Sequence, residues 1–224
     1  MHGRTFLSDT IEAVIFDFGG VLGLPQDPAR AAAMASLCGL TQEKFFSIYQ
    51  RDRLELDRGT LSTEEYWGRI LRAGGVAPST ELIARIERED ALGWTRINQA
   101  MVYWASELRT AGYRTAILSN MPVDKLAFMK ESSRFEWIGD FDPAIFSCDF
   151  SLVKPEPTIY RLCLDKLRVV PGRCLFLDDT PVNVDGARAC GINALHFHTA
   201  PEAAAELERR WGLPVVALKG DGDG

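Results

Sequence analysis

The chain has 224 residues, of which 46% are hydrophobic and 25% are charged, and its formal net charge is −6. This is an ordinary globular composition, which excludes collagen-like, coiled-coil and disordered chains. The negative charge gives no electrostatic reason to expect nucleic acid or an anionic membrane surface as a partner. Because a domain typically has about 150 residues, we expect one main domain with an insertion.

The opening segment, Met1–Thr10, lacks an apolar core of signal-peptide length. No stretch approaches the ~18 apolar residues of a membrane span. We therefore expect a cytoplasmic protein. The cysteines are scattered without metal-ligand spacing and are expected to be reduced, buried and non-catalytic: Cys38, Cys148, Cys163, Cys174 and Cys190.

Short apolar runs bounded by turn residues are typical of strands that are buried on both faces of a parallel sheet. Such runs are Ala13–Phe18, Thr115–Leu118, Cys174–Leu177 and Ala194–Phe197. Helical patterns separate and follow them, at about Asn98–Thr110, Val123–Ser132, Pro157–Leu167, Val182–Cys190 and Glu202–Trp211. This alternation predicts an α/β fold, a Rossmann-like doubly wound parallel sheet.

The alternation stops between residues 24 and 95, where the patterns are all helical. They cover about Pro28–Cys38, Glu43–Arg51, Thr63–Ala73 and Thr80–Leu92. Because this block lies between the first and second strands, we predict a small all-helical cap over the carboxyl edge of the sheet. The predicted core domain is then 1–23 and 96–224, the cap is 24–95, and residues 219–224 form a flexible tail.

Polar residues follow the predicted strands at the points where the strands end. Ligands of open parallel sheets bind beyond the carboxyl ends of the strands, so these residues are expected to converge there. They are Asp17 with Gly19 and Gly20 after the first strand, Ser119 and Asn120 after the second, Lys154 before a helix, and Asp178 with Asp179 after the strand Cys174–Leu177.

Four short motifs contain these residues: IFDFGGVL at Ile15–Leu22, ILSN at Ile117–Asn120, KPEP at Lys154–Pro157 and FLDDTPVNVDGA at Phe176–Ala187. With these motifs in this order, nearly the whole chain resembles the haloacid dehalogenase superfamily. The inserted helices resemble the small helical cap of that superfamily. The first motif is similar, through its glycines, to that of members acting on sugar 1-phosphates.

The resemblance implies a phosphatase that hydrolyses a small phosphorylated metabolite through a covalent aspartyl-phosphate. Asp17, which stands alone after the first strand, is the expected nucleophile. The Ser119 hydroxyl, the Asn120 amide and the Lys154 ammonium are expected to bind the phosphate oxygens. Gly19 and Gly20 would let the backbone approach the phosphate closely.

A carboxylate that attacks a dianionic phosphate is repelled by it, so a divalent cation is expected between them. Oxygen donors favour Mg²⁺. The expected ligands are Asp17, the Gly19 carbonyl and Asp179, with Asp178 acting through water or a supporting contact. Asn183 stands where a second acid is common in the superfamily and is a candidate supporting residue.

One position departs from the superfamily's phosphatases, most of which carry a second Asp two residues after the nucleophile. Here that residue is Gly19. A positioned acid or base contributes about 10²–10⁴ in rate. We therefore predict either a slow enzyme or one whose rate falls steeply as the leaving hydroxyl becomes less acidic. The anomeric hydroxyl of a sugar phosphate is an acidic leaving group.

Three alternatives remain open. Haloacid dehalogenation also needs no such acid, but Asp178 and Asp179 disfavour it because dehalogenases need no metal. Phosphonate cleavage through an imine would need a cap lysine, and the cap range contains only Lys44. A weakly active or non-catalytic regulator is the third, although it leaves the retained polar residues without a purpose.

Other charged residues have more ordinary explanations. His196 and His198 alternate along the last strand and its exit, without acidic neighbours at ligand spacing, and are predicted to be structural. In the cap, Arg51, Arg53 and Arg58 could reach an anionic substrate. A solvated, ion-paired face is the favoured interpretation. The sequence does not specify the substrate or the oligomeric state.

Overall fold

The computed structural model describes residues 10–219 of the chain. Residues 220–224 of the predicted tail lie outside this range, as do residues 1–9 of the opening segment. None of the helices in the described range is both long enough and apolar enough to cross a lipid bilayer.

Five parallel strands form the sheet within the described range. They are β1 (Ala13–Phe16), β2 (Arg114–Ser119), β3 (Ala144–Phe146), β4 (Cys174–Asp178) and β5 (Asn193–His196). Their spatial order is β3-β2-β1-β4-β5, and every pairing is parallel. This topology confirms the predicted Rossmann-like, doubly wound parallel sheet.

Two details of the sheet differ from the prediction. β1 ends at Phe16, two residues early, because Phe18–Leu22 forms a π-helical turn. The short strand β3 was not predicted. It has only three residues and follows Pro143, so it carries too little periodicity for a sequence signal.

Twelve α-helices surround the sheet in the described range. In the cap they are α1 (Pro28–Leu37), α2 (Gln42–Arg51), α3 (Arg53–Arg58), α4 (Thr63–Ala73) and α5 (Thr80–Gly93). In the core they are α6 (Gln99–Thr110), α7 (Val123–Lys130), α8 (Ser147–Phe150), α9 (Pro157–Leu167), α10 (Pro181–Ala189), α11 (Ala200–Trp211) and α12 (Val216–Lys219). Short 3₁₀ segments lie at Ser133–Asp140 and Pro171–Arg173.

The alternating side chains of β1 pack on both faces of the sheet. Val14 and Phe16 belong to an apolar cluster with α6 and α11. Ala13 and Ile15 belong to a second cluster with α9 and α10. Because both faces are covered, β1 is wholly buried, which explains its continuous apolar sequence.

The cap helices bury an apolar cluster of their own, which contains Phe45, Tyr66 and Trp67 and which we call the cap cluster. Four of these helices begin at a side chain that accepts a hydrogen bond from a backbone N–H of the first turn. These capping residues are Asp27, Thr41, Ser62 and Ser79.

The two segments that connect cap and core run side by side. Gly23 and Ile97 form an antiparallel bridge, next to the predicted cap boundaries at 24 and 95. The cap also contacts the core through polar groups. Lys125 of α7 pairs with Asp90 of α5 at 3.2 Å. Arg58 of α3 pairs with Glu156.

Candidate active site

The order of the sheet changes direction between β1 and β4, since β2 and β3 continue on one side and β5 on the other. Such a switch point leaves a crevice at the carboxyl ends of the two strands. Asp17 follows β1 there, and Asp178 is the last residue of β4. The predicted nucleophile and the predicted acidic pair therefore lie at the same crevice.

Asp17 is held through one of its two carboxylate oxygens. Oδ1 accepts a hydrogen bond from the Phe18 N–H at 2.6 Å and lies 2.9 Å from the Lys154 ammonium. No hydrogen bond from the described residues reaches Oδ2. Burial raises the pKa of Asp17 to about 8. The positive charge of Lys154 lowers this pKa, whereas the negative charges of Asp178 and Asp179 raise it further. The site thus holds more negative charge than its lysine compensates.

Lys154 is 1% exposed and connects two carboxylates. Its Nζ lies 2.9 Å from Asp17 and 2.6 Å from Asp178. The Asn120 amide accepts from the Lys154 N–H at 2.8 Å and donates to the Lys154 carbonyl at 2.9 Å. Asn120 therefore positions the lysine, and its predicted contact with phosphate stays a prediction.

Asp178 is completely buried and surrounded by donors. It accepts from the Thr180 N–H at 2.8 Å and from the Asn183 amide at 3.1 Å, besides the Lys154 ammonium. Asn183 thus supports Asp178 directly. These donors occupy both carboxylate oxygens of Asp178.

Asp179 is exposed and has few partners. Its side chain accepts only from the Thr180 hydroxyl, at 3.3 Å, among the described residues. Gly20 has a φ of +73°, and a Cβ there would lie 2.2 Å from the Asp179 carboxylate. A glycine is therefore required beside Asp179. The His196 ring lies 2.9 Å from the Asp179 carbonyl, so this histidine supports the same turn.

The acidic residues have the chemistry of a divalent-cation site. Carboxylate oxygens of Asp17, Asp178 and Asp179 all lie within 4.8 Å of one another. Hard oxygen ligands of this kind suit Mg²⁺. The pKa of Asp179 is also raised, first by its partial desolvation at the edge of the cavity and then by the negative charge of Asp178, and a bound cation would offset both effects. The participation of the Gly19 carbonyl stays a prediction.

A cavity of about 450 Å³ opens above these residues. Ser119, which is 2% exposed, lines it together with the catalytic candidates. No partner for the Ser119 hydroxyl occurs in the described part of the chain. The cap contributes five lining residues: Gln50, Arg53, Leu54, Asp57 and Trp94. A larger groove, about 880 Å³, lies around Arg114 at the start of β2, away from this cluster.

Gly19, which stands where most phosphatases of the superfamily carry an acid, lies against an indole ring. A Cβ at Gly19 would lie 3.1 Å from Cζ3 of Trp94. Trp94 follows α5 and lines the cavity. A side chain at position 19 would therefore be in tight contact with an aromatic ring from the cap, which would have to shift by a few tenths of an ångström.

The three cap arginines have different surroundings. Arg51 pairs with Asp52, its sequence neighbour, and Arg58 pairs with Glu156. Arg53 instead lines the cavity. All three arginines are therefore ion-paired, but the partners of Arg53, Asp57 and Asp90, are buried, and Arg53 is the one of the three that lines the cavity.

Sequence reasoning missed Trp94, Asp57 and Lys125, which all line the cavity. Lys125 carried a usable signal, since it stands in the first turn of the helix after the Ser119–Asn120 motif. Phosphonate cleavage would need a lysine in the cavity, and Lys125 of the core lines the cavity. Lys44, the lysine of the cap range, is exposed and does not line it. All five cysteines are unpaired, and three are fully buried: Cys38, Cys163 and Cys174.

Comparison with known proteins identifies the family. The pattern described as haloacid dehalogenase-like hydrolase matches residues 11–191. The chain therefore belongs to the haloacid dehalogenase-like hydrolases, as its motifs predict. The matches include phosphatases as well as haloacid dehalogenases.

Two relatives and one solved structure illustrate the kinds of protein that this chain is similar to. A phosphorylated carbohydrates phosphatase from Thermotoga maritima is 33% identical over 88% of this chain and 91% of its own length. Bifunctional epoxide hydrolase 2 from Mus musculus is 28% identical over 90% of this chain but only 39% of its own length. The chain thus spans about two fifths of the mammalian relative. A Bacteroides thetaiotaomicron enzyme, solved with magnesium and inorganic phosphate, has a TM-score of 0.67 and 21% identity over 83% of this chain and 93% of its own.

Proposed function

We propose that the protein is a Mg²⁺-dependent phosphatase that hydrolyses a small phosphorylated metabolite through an aspartyl-phosphate on Asp17. The observation that carries the proposal is the state of the Asp17 carboxylate. Its Oδ1 is fixed by Lys154 and the Phe18 N–H, while Oδ2 has no hydrogen bond from the described residues. A nucleophile needs one anchored oxygen and one free oxygen, and Asp17 has both.

In the first half-reaction, Asp17 Oδ2 attacks phosphorus, the ester P–O bond breaks, and the leaving oxygen takes a proton from water, because position 19 carries no acid. In the second, water attacks the aspartyl-phosphate, which releases phosphate and restores Asp17. Lys154 and Ser119 are placed to hold the phosphate oxygens during both steps. Mg²⁺, when held by Asp17 and Asp179, would reduce the repulsion between the carboxylate and the phosphate.

The relatives support this reaction without specifying the substrate. The Thermotoga maritima relative is a phosphatase of phosphorylated carbohydrates, so a sugar phosphate is one candidate. The Bacteroides thetaiotaomicron structure, which shares the fold, was solved with magnesium and phosphate. The partner we propose is accordingly a small phosphorylated metabolite. The cytoplasmic location stays a prediction from the sequence.

Haloacid dehalogenation is the second candidate, and Gly19 is the observation that favours it. A dehalogenase forms its covalent ester on the aspartate without protonating an alkoxide. The cluster of three carboxylates argues against this reaction, because displacement of halide by Asp17 needs no cation. The two reactions differ in product and in metal dependence.

The test is a substrate panel with purified protein. Phosphate release from sugar phosphates, nucleotides and acyl phosphates is measured with Mg²⁺ and with excess chelator, beside halide release from 2-haloacids and phosphate release from 2-oxoalkyl phosphonates. We expect Mg²⁺-dependent phosphate release from esters. Chelator-resistant halide release would replace the phosphatase by a dehalogenase, and activity on phosphonates alone would assign the reaction to Lys125.

Asp17→Asn is the matched variant, because it keeps the shape of the side chain and removes its nucleophilic oxygen. We expect less than about a hundredth of the wild-type rate, given the size of nucleophilic participation. The control is Asp185→Asn, since Asp185 is an exposed carboxylate of α10 outside the cavity. A greater residual rate in Asp17→Asn would refute the mechanism.

A further inference from the structure

A second group of charged side chains lies in the same cavity as the candidate nucleophile. Arg53 comes from the cap helix α3 and Lys125 from the core helix α7, and both line the cavity. Their side chains are 13% and 5% exposed. Neither has a role in the phosphatase chemistry proposed above. One wall of the cavity therefore carries two buried cations, which the buried carboxylates Asp57 and Asp90 hold.

Arg53 is anchored by several buried polar groups. Its Nε donates to Asp57 at 2.9 Å, and its Nη1 is bonded to the Tyr49 hydroxyl and lies 3.5 Å from Asp90. The Tyr66 hydroxyl is a further hydrogen-bond partner of this side chain. A guanidinium has five N–H donors, so Arg53, which lines the cavity, retains a donor for a ligand beyond these partners.

Lys125 shares its principal partner with Arg53. Its Nζ lies 3.2 Å from Asp90 and 4.8 Å from the centre of the Trp94 ring. Asp90 is 1% exposed, and the Tyr49 hydroxyl and the Gln26 amide also donate to it. The carboxylate oxygens of Asp90 are thus already occupied by donors from the protein. An ammonium has three donors, so Lys125 also retains donors for a ligand.

The electrostatics of the pair favour an added negative charge. Burial, followed by repulsion from Arg53, lowers the pKa of Lys125 to about 8 despite Asp90 and Asp57. Burial also raises the pKa of Asp57, which weakens its capacity to compensate both cations. An anion beside Arg53 and Lys125 would offset this repulsion.

We propose that Arg53 and Lys125 form a second anion-binding subsite, which recognises a carboxylate on the same small substrate whose phosphate binds beside Asp17. The substrate class is then a phosphorylated hydroxy acid. This inference rests on the proposed phosphatase function and narrows it. The cavity volume of about 450 Å³ is that of a small-ligand site, so both groups belong to one compact molecule.

A carboxylate fits this wall better than a hydroxyl group. Arg53 and Lys125 offer charged donors, and hydrogen bonds from charged donors to a carboxylate are about twice as strong as neutral ones. A hydroxyl group would also need an acceptor, and within residues 10–219 the one carboxylate of this wall that lines the cavity, Asp57, already accepts from Arg53. A substrate with only hydroxyl groups is the competing outcome of the test.

The test compares substrates that differ only in this group. One pair is 2-phosphoglycolate and 2-hydroxyethyl phosphate, and the other is 3-phosphoglycerate and glycerol 1-phosphate. In each pair a carboxylate replaces a hydroxymethyl group. We expect kcat/KM to favour the acid by about tenfold or more, which is the effect of one charged hydrogen bond. A ratio near one, or a preference for the hydroxymethyl partner, would overturn the proposal without any variant.

Variants locate the preference. Arg53→Gln and Lys125→Gln are expected to reduce the acid-to-hydroxymethyl ratio towards one, whereas Lys125→Arg, which keeps the charge, retains the preference. Arg51→Gln is the control, because Arg51 is an exposed cap arginine outside the cavity, and its ratio should equal that of the wild type. An unchanged ratio in both Gln variants would show that other groups select the acid.

Binding to the Asp17→Asn protein separates this inference from the proposed function. The shift in melting temperature with 2-phosphoglycolate is compared with that for 2-hydroxyethyl phosphate, in Mg²⁺ and without turnover. If 2-phosphoglycolate stabilises the variant more than 2-hydroxyethyl phosphate does, the subsite is retained. If the wild-type protein then releases no phosphate from any substrate, the phosphatase function alone is rejected. Turnover of all four substrates at equal kcat/KM would retain the phosphatase and reject the subsite.

Discussion

Asp178 and Asp179 are adjacent in the sequence but have opposite surroundings. Asp178 is fully buried and accepts hydrogen bonds from Lys154, Asn183 and the Thr180 N–H. Asp179 is exposed and has one side-chain donor, the Thr180 hydroxyl, among the described residues. A carboxylate whose lone pairs are already used is a poor cation ligand. Asp179 therefore suits direct coordination, and Asp178 suits the positioning of Lys154.

This difference predicts separable effects of two identical substitutions. Asp179→Asn should weaken Mg²⁺ affinity and leave the free energy of unfolding nearly unchanged. Asp178→Asn should lower that free energy by about 1–3 kcal/mol, because an amide NH2 would leave a buried donor facing other donors, while Lys154 keeps Asp17 as a partner. Calorimetric Mg²⁺ titration and urea unfolding measure the two quantities. Asp185→Asn serves as the control for the loss of one acidic charge.

The reverse order of Mg²⁺ affinities would exchange the two roles. Equal affinities, with both variants like the wild type, would remove the cation from this cluster. The stability measurement is independent of either result, since it is made in the absence of Mg²⁺.

At the scale of elements, the sequence could predict the position of site residues that directly follow a strand. It could not predict the residues that reach the site through the packing of the cap on the core. Asp17, Ser119 and Asp178 each lie at the carboxyl end of a buried strand, and parallel strands bring such ends together. Arg53 and Trp94 reach the cavity because the cap docks in one particular orientation. That orientation depends on contacts such as Lys125 with Asp90, which have no sequence periodicity.

The turn after β1 and the segment after α5 meet at Gly19. The backbone of Gly19 has φ −66° and ψ 131°, a conformation open to any residue. The obstacle to an acid at this position is therefore the Trp94 ring, 3.1 Å from a Cβ there, rather than the backbone. Gly19 and Trp94 form one unit, in which the small residue makes room for the large one.

Consequently, Gly19→Asp alone is expected to add little activity, whereas Gly19→Asp with Trp94→Leu should raise kcat/KM for alkyl phosphates about tenfold or more. The gain should be small for aryl phosphates, whose leaving groups need no proton. The measurement is the slope of log kcat/KM against the pKa of the leaving hydroxyl, which should be steep in the wild type and shallower in the double variant.

Gly19→Asn with Trp94→Leu is the control, because it has the same size without an acidic proton. A wild-type slope that is already flat would mean that another cavity group acts as the acid, and Asp57 would then be the first to substitute. An equal gain in the Asn control would attribute the effect to the space vacated by Trp94.

At the scale of the whole molecule, cap and core have separate hydrophobic interiors. The cap cluster contains only residues of the cap range, including the fully buried Trp67. The clusters on the two faces of the sheet contain none of them. Cap and core meet instead through polar contacts, such as Lys125 with Asp90 and Arg58 with Glu156. Elements with separate cores can open separately, since local stability follows local burial.

We therefore expect Trp67→Ala to destabilise the cap by about 3–5 kcal/mol, the usual effect of removing a buried tryptophan, and to spare the sheet. Native-state hydrogen exchange should show faster exchange in α2 and α4, with unchanged protection in β1 and β4. Trp104→Ala is the matched comparison, because Trp104 is equally buried but belongs to the cluster on the sheet. It should accelerate exchange in β1 and β2. If Trp67→Ala accelerated exchange in β1 as much as in α4, cap and core would unfold as one unit, and substrate access could not depend on the cap opening alone.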